Sequence, residues 1–253
     1  MSTEDLVSAA AFGEESDVRR LLDGGTPPDE PGEYGDTALY RASVRGNAAI
    51  VRMLLAAGAD PDRESGGDSE GLPLCAAACW GHHDVVSALL DAGADPDRRE
   101  DAALTAMTAL VWAVSNERLA VVRTLLDRGA DPDRCDSTGR TPLFHAAERG
   151  ATAMVRALLD AGAHPAPTDH QDLRPIDRAR HYADRDIEAE VRARAREYAP
   201  EGARISVRRE ETEGGDVRVV AEVRESTGEL RSETFLSTGH AEIVRLLEGS
   251  RTE

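Results

Sequence analysis

The chain has 253 residues, 40% hydrophobic, 31% charged and only 4% aromatic, with 48 acidic against 30 basic side chains for a net charge of −18. Such a surface repels phosphate, so general binding to nucleic acid or to anionic membranes is disfavoured. A core poor in aromatic residues has to be built from Ala, Leu and Val, which suits many shallow layers better than one thick globule.

All 30 basic residues are Arg, a skew expected of a GC-rich bacterial coding sequence rather than of a mechanism. The first residues, Met-Ser-Thr-Glu-Asp-Leu, carry neither a basic nor an apolar leader segment. The longest near-apolar stretch, 107–114, is far short of the ~20 residues that span a bilayer. Three cysteines, Cys75, Cys79 and Cys135, are an odd number and argue against a secreted disulfide framework. A cytoplasmic protein with reduced thiols is expected.

One phrase recurs along the chain: Leu-Leu, two residues, then Gly. It ends at Gly25, Gly58, Gly93, Gly129 and Gly162, at spacings of 33, 35, 36 and 33 residues. Ala-Asp-Pro-Asp follows at 59–62, 94–97 and 130–133, with the variant Ala163-His164-Pro165 after the last. A second phrase keeps step upstream: Thr37-Ala38-Leu39, Leu72-Pro73-Leu74, Thr108-Ala109-Leu110 and Thr141-Pro142-Leu143, with Arg174-Pro175-Ile176 beyond. Thr141 before Pro142 predicts a helix start, a hydroxyl cap followed by proline at the first helical position. Leu143, Ala146 and Ala147 place a small apolar face on that helix, and Gly150 ends it. Met154, Val155, Leu158 and Leu159 then make the inward stripe of a second helix. Asp-Pro-Asp predicts a tight turn in which each Asp caps its own backbone. A two-helix unit of this size cannot hide its apolar face alone, so neighbours must stack.

The segments Gly139-Arg140-Thr141-Pro142-Leu143-Phe144-His145-Ala146-Ala147 and Val155-Arg156-Ala157-Leu158-Leu159-Asp160-Ala161-Gly162-Ala163 resemble an ankyrin repeat. The resemblance covers about residues 3–198 and implies an α-helical solenoid of stacked helix-turn-helix units. About six are expected, at 3–33, 34–67, 68–104, 105–137, 138–170 and 171–198, the last with a charged outer helix near 184–198. The His of the family's Thr-Pro-Leu-His phrase is replaced by Tyr40, Cys75, Val111, Phe144 and Asp177, and the glycine between the helices becomes Glu117 in the fourth unit, where strain is expected. Loops 63–71 and 98–105 are longer than the pattern.

Residues 199–253 change character. Alternating residues at 204–208 and 216–219, with Gly214-Gly215 between them, and a turn at Ser226-Thr227-Gly228 before 229–237, predict a small three-strand β-meander. A closing helix, Gly239-His240-Ala241-Glu242-Ile243-Val244-Arg245-Leu246-Leu247, itself resembles the second helix of an ankyrin unit, with no first helix just before it. So small a meander needs a surface to lean on, and packing on the end of the array is expected.

Cys75, Cys79, His82 and His83 have a metal-like composition, but burial of small thiols and the Gly-His of an ankyrin unit explain them more plainly, and no metal or other cofactor is expected. The turn residues Asp60, Asp62, Asp95, Asp97, Asp131 and Asp133 suggest an acidic ridge, with neighbouring turns too far apart to share a calcium ion. No nucleophile–base set or phosphate-cradling loop stands out, so no enzyme is expected.

The resemblance implies a protein partner held in a concave groove, made by turn tips and the outward side of each first helix. By register the first helices offer Val44, Arg45, Cys79, Trp80, Ser115, Asn116, Glu148 and Arg149. The turns offer Tyr34, Asp36, Thr105, Met107, Thr138 and Arg140. Trp80, Tyr34, Arg45 and Arg149 are the anchor types that dominate interfaces, and Trp112, one register position away, is expected to be half-buried. The leading expectation is a monomeric, non-enzymatic interaction scaffold that binds neither nucleic acid nor membrane. The alternative is an acidic immunity protein or inhibitor that neutralises a basic toxin or enzyme.

Overall fold

The computed structural model describes residues 3–66, 71–100, 106–225 and 227–250, with side chains from residue 6 onward. Thr105 and Ser226 therefore lie outside the described residues. The chain divides into two compact units, residues 1–137 and 138–253.

The first unit holds α1 (Thr3–Phe12), α2 (Glu15–Asp23), α3 (Ala38–Arg45), α4 (Ala48–Ala56), α5 (Pro73–Trp80), α6 (His83–Asp91), α7 (Ala109–Ser115) and α8 (Leu119–Asp127). Each consecutive pair packs as a hairpin. The first helices α1, α3, α5 and α7 pack side by side in one layer, and α2, α4, α6 and α8 in another. The second helices bring the long apolar side chains, among them Leu21, Leu54, Leu89 and Leu125, all fully buried. The first helices meet them with Ala42, Ala77, Ala78 and Ala113, also fully buried, and such small side chains let the layers approach closely. The first Leu of each pair is thus sandwiched between hairpins, which is how units too thin for their own core acquire one, while the second, Leu22, Leu55, Leu90 and Leu126, is only half-buried.

Thr37 and Thr108 cap their helices, accepting from the backbone N–H of Tyr40 and Val111. Leu72 has no capping side chain, and its own N–H turns instead to Glu100 Oε1 of the next long loop at 3.4 Å. Glu117 stands where the other hairpins carry glycine and adopts φ 57°, the left-handed conformation that L-residues with a Cβ occupy only under strain.

The Asp-Pro-Asp turns do more than cap themselves. The first Asp of each accepts from the N–H of the second, at 2.9 Å for Asp60, Asp95 and Asp131. The second Asp reaches across to the next turn: Asp62 accepts from Asp95 N–H at 3.1 Å and Asp97 from Asp131 N–H at 2.8 Å. Asp29 does the same for Asp60 at 3.0 Å. The acidic residues form a ladder of charge-assisted hydrogen bonds joining successive hairpins.

The second unit holds α9 (Pro142–Arg149), α10 (Thr152–Asp160), α11 (Pro175–Ala183), α12 (Ile187–Glu197), β1 (Arg204–Glu211), β2 (Val217–Arg224), β3 (Leu230–Ser237) and α13 (His240–Gly249). Thr141 precedes α9 as expected, but its hydroxyl makes no capping bond. The expected meander is present as an antiparallel sheet of order β1-β2-β3. The helix expected near 184–198 forms as α12, capped by Asp186. It packs on all three strands, over a core of Val191, Ala195, Val219, Ala221, Val223 and Leu236. α11 packs on α9, and it is α13 that packs on α11 while also touching α9 and α10. The sheet leans on the α9/α10 hairpin: Asp216 Oδ2 accepts from Ala153 N–H at 2.9 Å, capping a helix whose own cap residue, Ala151, has no acceptor.

Asp97→Ala removes an acceptor from the neighbouring turn and is expected to cost about 1 kcal/mol, whereas Asp97→Asn keeps the oxygen and most of the stability. Urea denaturation of the three proteins checks this. Equal midpoints for Asp97→Ala and wild type would show that water replaces the ladder at no cost.

Candidate protein-binding surface

The residue just before each hairpin junction lies at or just past the C-terminal end of a first helix. In the first unit these residues are Phe12, Arg45, Trp80 and Asn116. Because α1, α3, α5 and α7 pack in sequence, the four form a row. Phe12 is 78% and Trp80 58% exposed, and Arg45 between them is exposed as well. Tyr34, on the turn that leads into α3, is 66% exposed. Large apolar side chains presented together on one face mark interaction sites.

The remaining expected positions in this unit divide. Val44, Cys79 and Met107 are half-buried. Asn116 is also half-buried, its amide donating to Trp112 O at 2.9 Å and to Cys79 Sγ at 3.5 Å. Asp36 and Ser115 are corrections, since both are buried. Asp36 holds the Arg41 guanidinium at 2.5 Å and so braces its own turn. Ser115 faces inward because the helix period carries it onto the packed side. Trp112 is half-buried as expected, its indole N–H donating to Glu100 Oε2 at 2.7 Å. Glu100 was not anticipated from the sequence. Its burial between Trp112 and Leu72 raises its pKa above the ordinary carboxylate value.

In the second unit Thr138 is exposed. Arg140 lies 3.4 Å from the buried Asp169 and 3.7 Å from Glu148, so it is paired both within its own hairpin and with the turn before α11. Arg149 is the larger correction. Its guanidinium donates to Phe235 O at 3.1 Å and lies 4.6 Å from the centre of the Phe235 ring. Arg149 and Glu148 face a cleft of about 450 Å³ whose opposite wall is α12 and β3, through Arg194, Glu197, Tyr198 and Thr234. The chain's own sheet occupies the position expected for a partner.

The four metal-like residues do not act as a set. Cys75 is fully buried, and burial holds its thiol well above the ordinary value. Cys79 is raised for the same reason. His82 turns to Val44 O at 3.0 Å and His83 to Thr124 Oγ1 at 2.9 Å. Among the described residues no group of three or more His, Cys, Asp or Glu side chains is placed to hold a metal ion. No helix of the described residues is long and apolar enough to cross a membrane.

Residues 6–100 and 74–169 match the family model for ankyrin repeats in three copies. The chain belongs to the ankyrin-repeat family. Among solved structures it is similar to the human ASB11 ankyrin repeat domain, with a TM-score of 0.61 and 27% identity over 68% of this chain and 75% of that one. No curated protein matches it. Ankyrin repeats generally mediate protein–protein interaction, and the fold is typically a non-enzymatic scaffold.

Trp80→Ala is expected to leave stability within about 0.5 kcal/mol of wild type, as for other exposed positions. Arg149→Ala, which removes a hydrogen bond and a cation–π contact, is expected to cost about 1–2 kcal/mol. Denaturant melts of both variants separate the open position from the occupied one, and the reverse order would exchange their roles.

Proposed function

We propose that this protein is a non-enzymatic, cytoplasmic interaction scaffold, and that it holds a protein partner on the row Phe12, Arg45 and Trp80, with Tyr34 as a further anchor at the opposite end of α3. The observation that carries this reading is the exposure of three large aromatic side chains within one small unit. Aromatic and Arg anchors contribute most of the binding energy at interfaces, the more so when the scaffold that presents them is already ordered.

The partner's contacting surface is basic. Residues 1–137 carry 26 acidic side chains against 12 Arg, a net −14, while residues 138–253 carry 22 against 18, a net −4. The acidic field therefore surrounds the exposed row. Such a field accelerates encounter with a cationic protein and repels an anionic one. The same asymmetry supports the narrower alternative of an immunity protein or inhibitor directed at a basic toxin or enzyme.

The test is capture by the immobilised full-length protein, compared with its Phe12→Ala/Arg45→Ala/Trp80→Ala variant. A cationic protein retained by wild type, lost by the variant, and released as salt rises from about 0.05 to 0.5 M is the expected result. Retention by both proteins would place the interface elsewhere, and a salt-insensitive or acidic partner would overturn the charge argument.

A further inference from the structure

His240 opens α13 and is 1% exposed. Its Nε2–H donates to Glu148 O at 3.0 Å, which fixes the proton on Nε2 because a carbonyl only accepts. Nδ1 is then a bare acceptor, buried and without a hydrogen-bond partner. The ring fills the space above Gly150, where a Cβ would stand 2.5 Å from His240 Cε1. Tyr182 of α11 covers it at 5.1 Å between ring centres.

The arrangement copies another in the first unit. His82 immediately precedes α6, its Nε2 faces Val44 O at 3.0 Å, and its ring lies over Gly46, where a Cβ would stand 2.5 Å from Nδ1. The difference that matters is access. His82 is only half-buried, so its ring keeps an outlet to solvent. His240 has no such outlet, because α12 and the sheet are interposed in the chain between α11 and α13, and Tyr182 sits in their core.

We propose that α13 is an acid-released latch: with His240 neutral it closes the hairpin begun by α11, and protonation of His240 lifts it from its seat on Gly150. A proton on Nδ1 creates a buried charge and a buried N–H donor with nothing to accept it, at the N-terminal end of a helix, where the dipole already disfavours a cation. The surrounding charges do not rescue it. From α12, Arg194 lies over the Tyr182 ring and opposes a second cation. From α9, the Glu148 carboxylate favours the cation but is paired with Arg140, and Arg149 is turned to Phe235. From α11, His181 is exposed. On α13 itself Glu242 is paired with Arg156 of α10, and Glu248 with Arg180 of α11. Burial is the largest influence and holds the His240 pKa below the ordinary 6.5. The unfolded or undocked helix therefore binds the proton more readily than the docked one. Docking is at full strength above about pH 6.5 and weakens as the pH falls through that value towards the lowered one.

Hydrogen exchange of the full-length protein, corrected for intrinsic rates, tests the latch at about pH 7.5 and 5.5. Protection of the α13 amides is expected to fall at the lower pH, by up to about tenfold, while that of α4 holds. His240→Gln, whose amide N–H can still reach the Glu148 carbonyl but does not titrate, is expected to lose less than about twofold. An equal loss in both proteins, or no loss in wild type, would overturn the proposal. Should the Gln variant already be undocked at the higher pH, NMR titration of the His240 ring in wild type decides. A midpoint below 6.5 supports the latch, and one at or above it does not.

Discussion

Successive hairpins are keyed together where one backbone turns through a left-handed residue and the missing Cβ leaves a seat for a side chain from the next hairpin. His82 sits over Gly46, Arg118 over Gly81 and His240 over Gly150. Each seated side chain also reaches a carbonyl two residues before its glycine, of Val44, Cys79 and Glu148 respectively. One contact thus fills a void and satisfies a helix-end carbonyl that the helix itself leaves unpaired. The Ala-rich first helices and the Leu-Leu stripes depend on this registration, because a shift of one residue would turn the packed face of a short helix towards water.

In the second unit the same contact survives a large interruption of the chain. The residues between α11 and α13 form their own layer, α12 on three strands, with a separate core. That layer is tied down by groups the α9/α10 hairpin would otherwise leave open. Asp216 supplies the cap that Ala151 cannot. Phe235 lies between Arg149 and Arg218, 4.6 and 4.5 Å from its ring centre. The sheet's other polar face is closed by its own ion pairs, among them Arg208 with Glu222 and Arg224 with Glu222. An element that satisfies so many of its own charges has little left to offer a partner.

The stacked architecture was legible in the sequence because its signals are local. Leu-Leu spacing, Pro142 at the first helical position and Gly150 as a stop all act within a few residues, although the expected cap, Thr141, makes no capping bond. What was missed lies across longer separations. The Asp ladder joins residues 31 to 34 positions apart, so each Asp looked sufficient as a cap for its own turn. The likeness of α13 to a repeat's second helix was visible, but its packing partner α11 was not, since no local pattern announces that a hairpin has been opened. Arg149 looked exposed for the same reason: the ring that covers it arrives from β3. Phe12 was overlooked because α1 lacks the Thr-Pro-Leu phrase that sets the register elsewhere, and only the packing of α1 on α3 brings it into the row. Asp36 and Ser115 were placed on the surface by register alone, which does not foresee a buried ion pair or the rotation at a helix end.

Exposed aromatic residues and strong negative charge are complementary features of the first unit. Open apolar side chains invite self-association, and like charge opposes it by keeping copies of the chain apart. The same field draws in a surface of opposite sign, so charge acts on the rate of encounter while Trp80 and Phe12 act on the lifetime of what forms. The second unit shows the converse balance. It carries more of the arginines, 18 against 12, and joins them to its own carboxylates and aromatic rings, leaving a weak net field. The charge of this protein is therefore better understood unit by unit than as a total: unneutralised where anchors stand open, and internally paired where the chain has folded its own sheet against them.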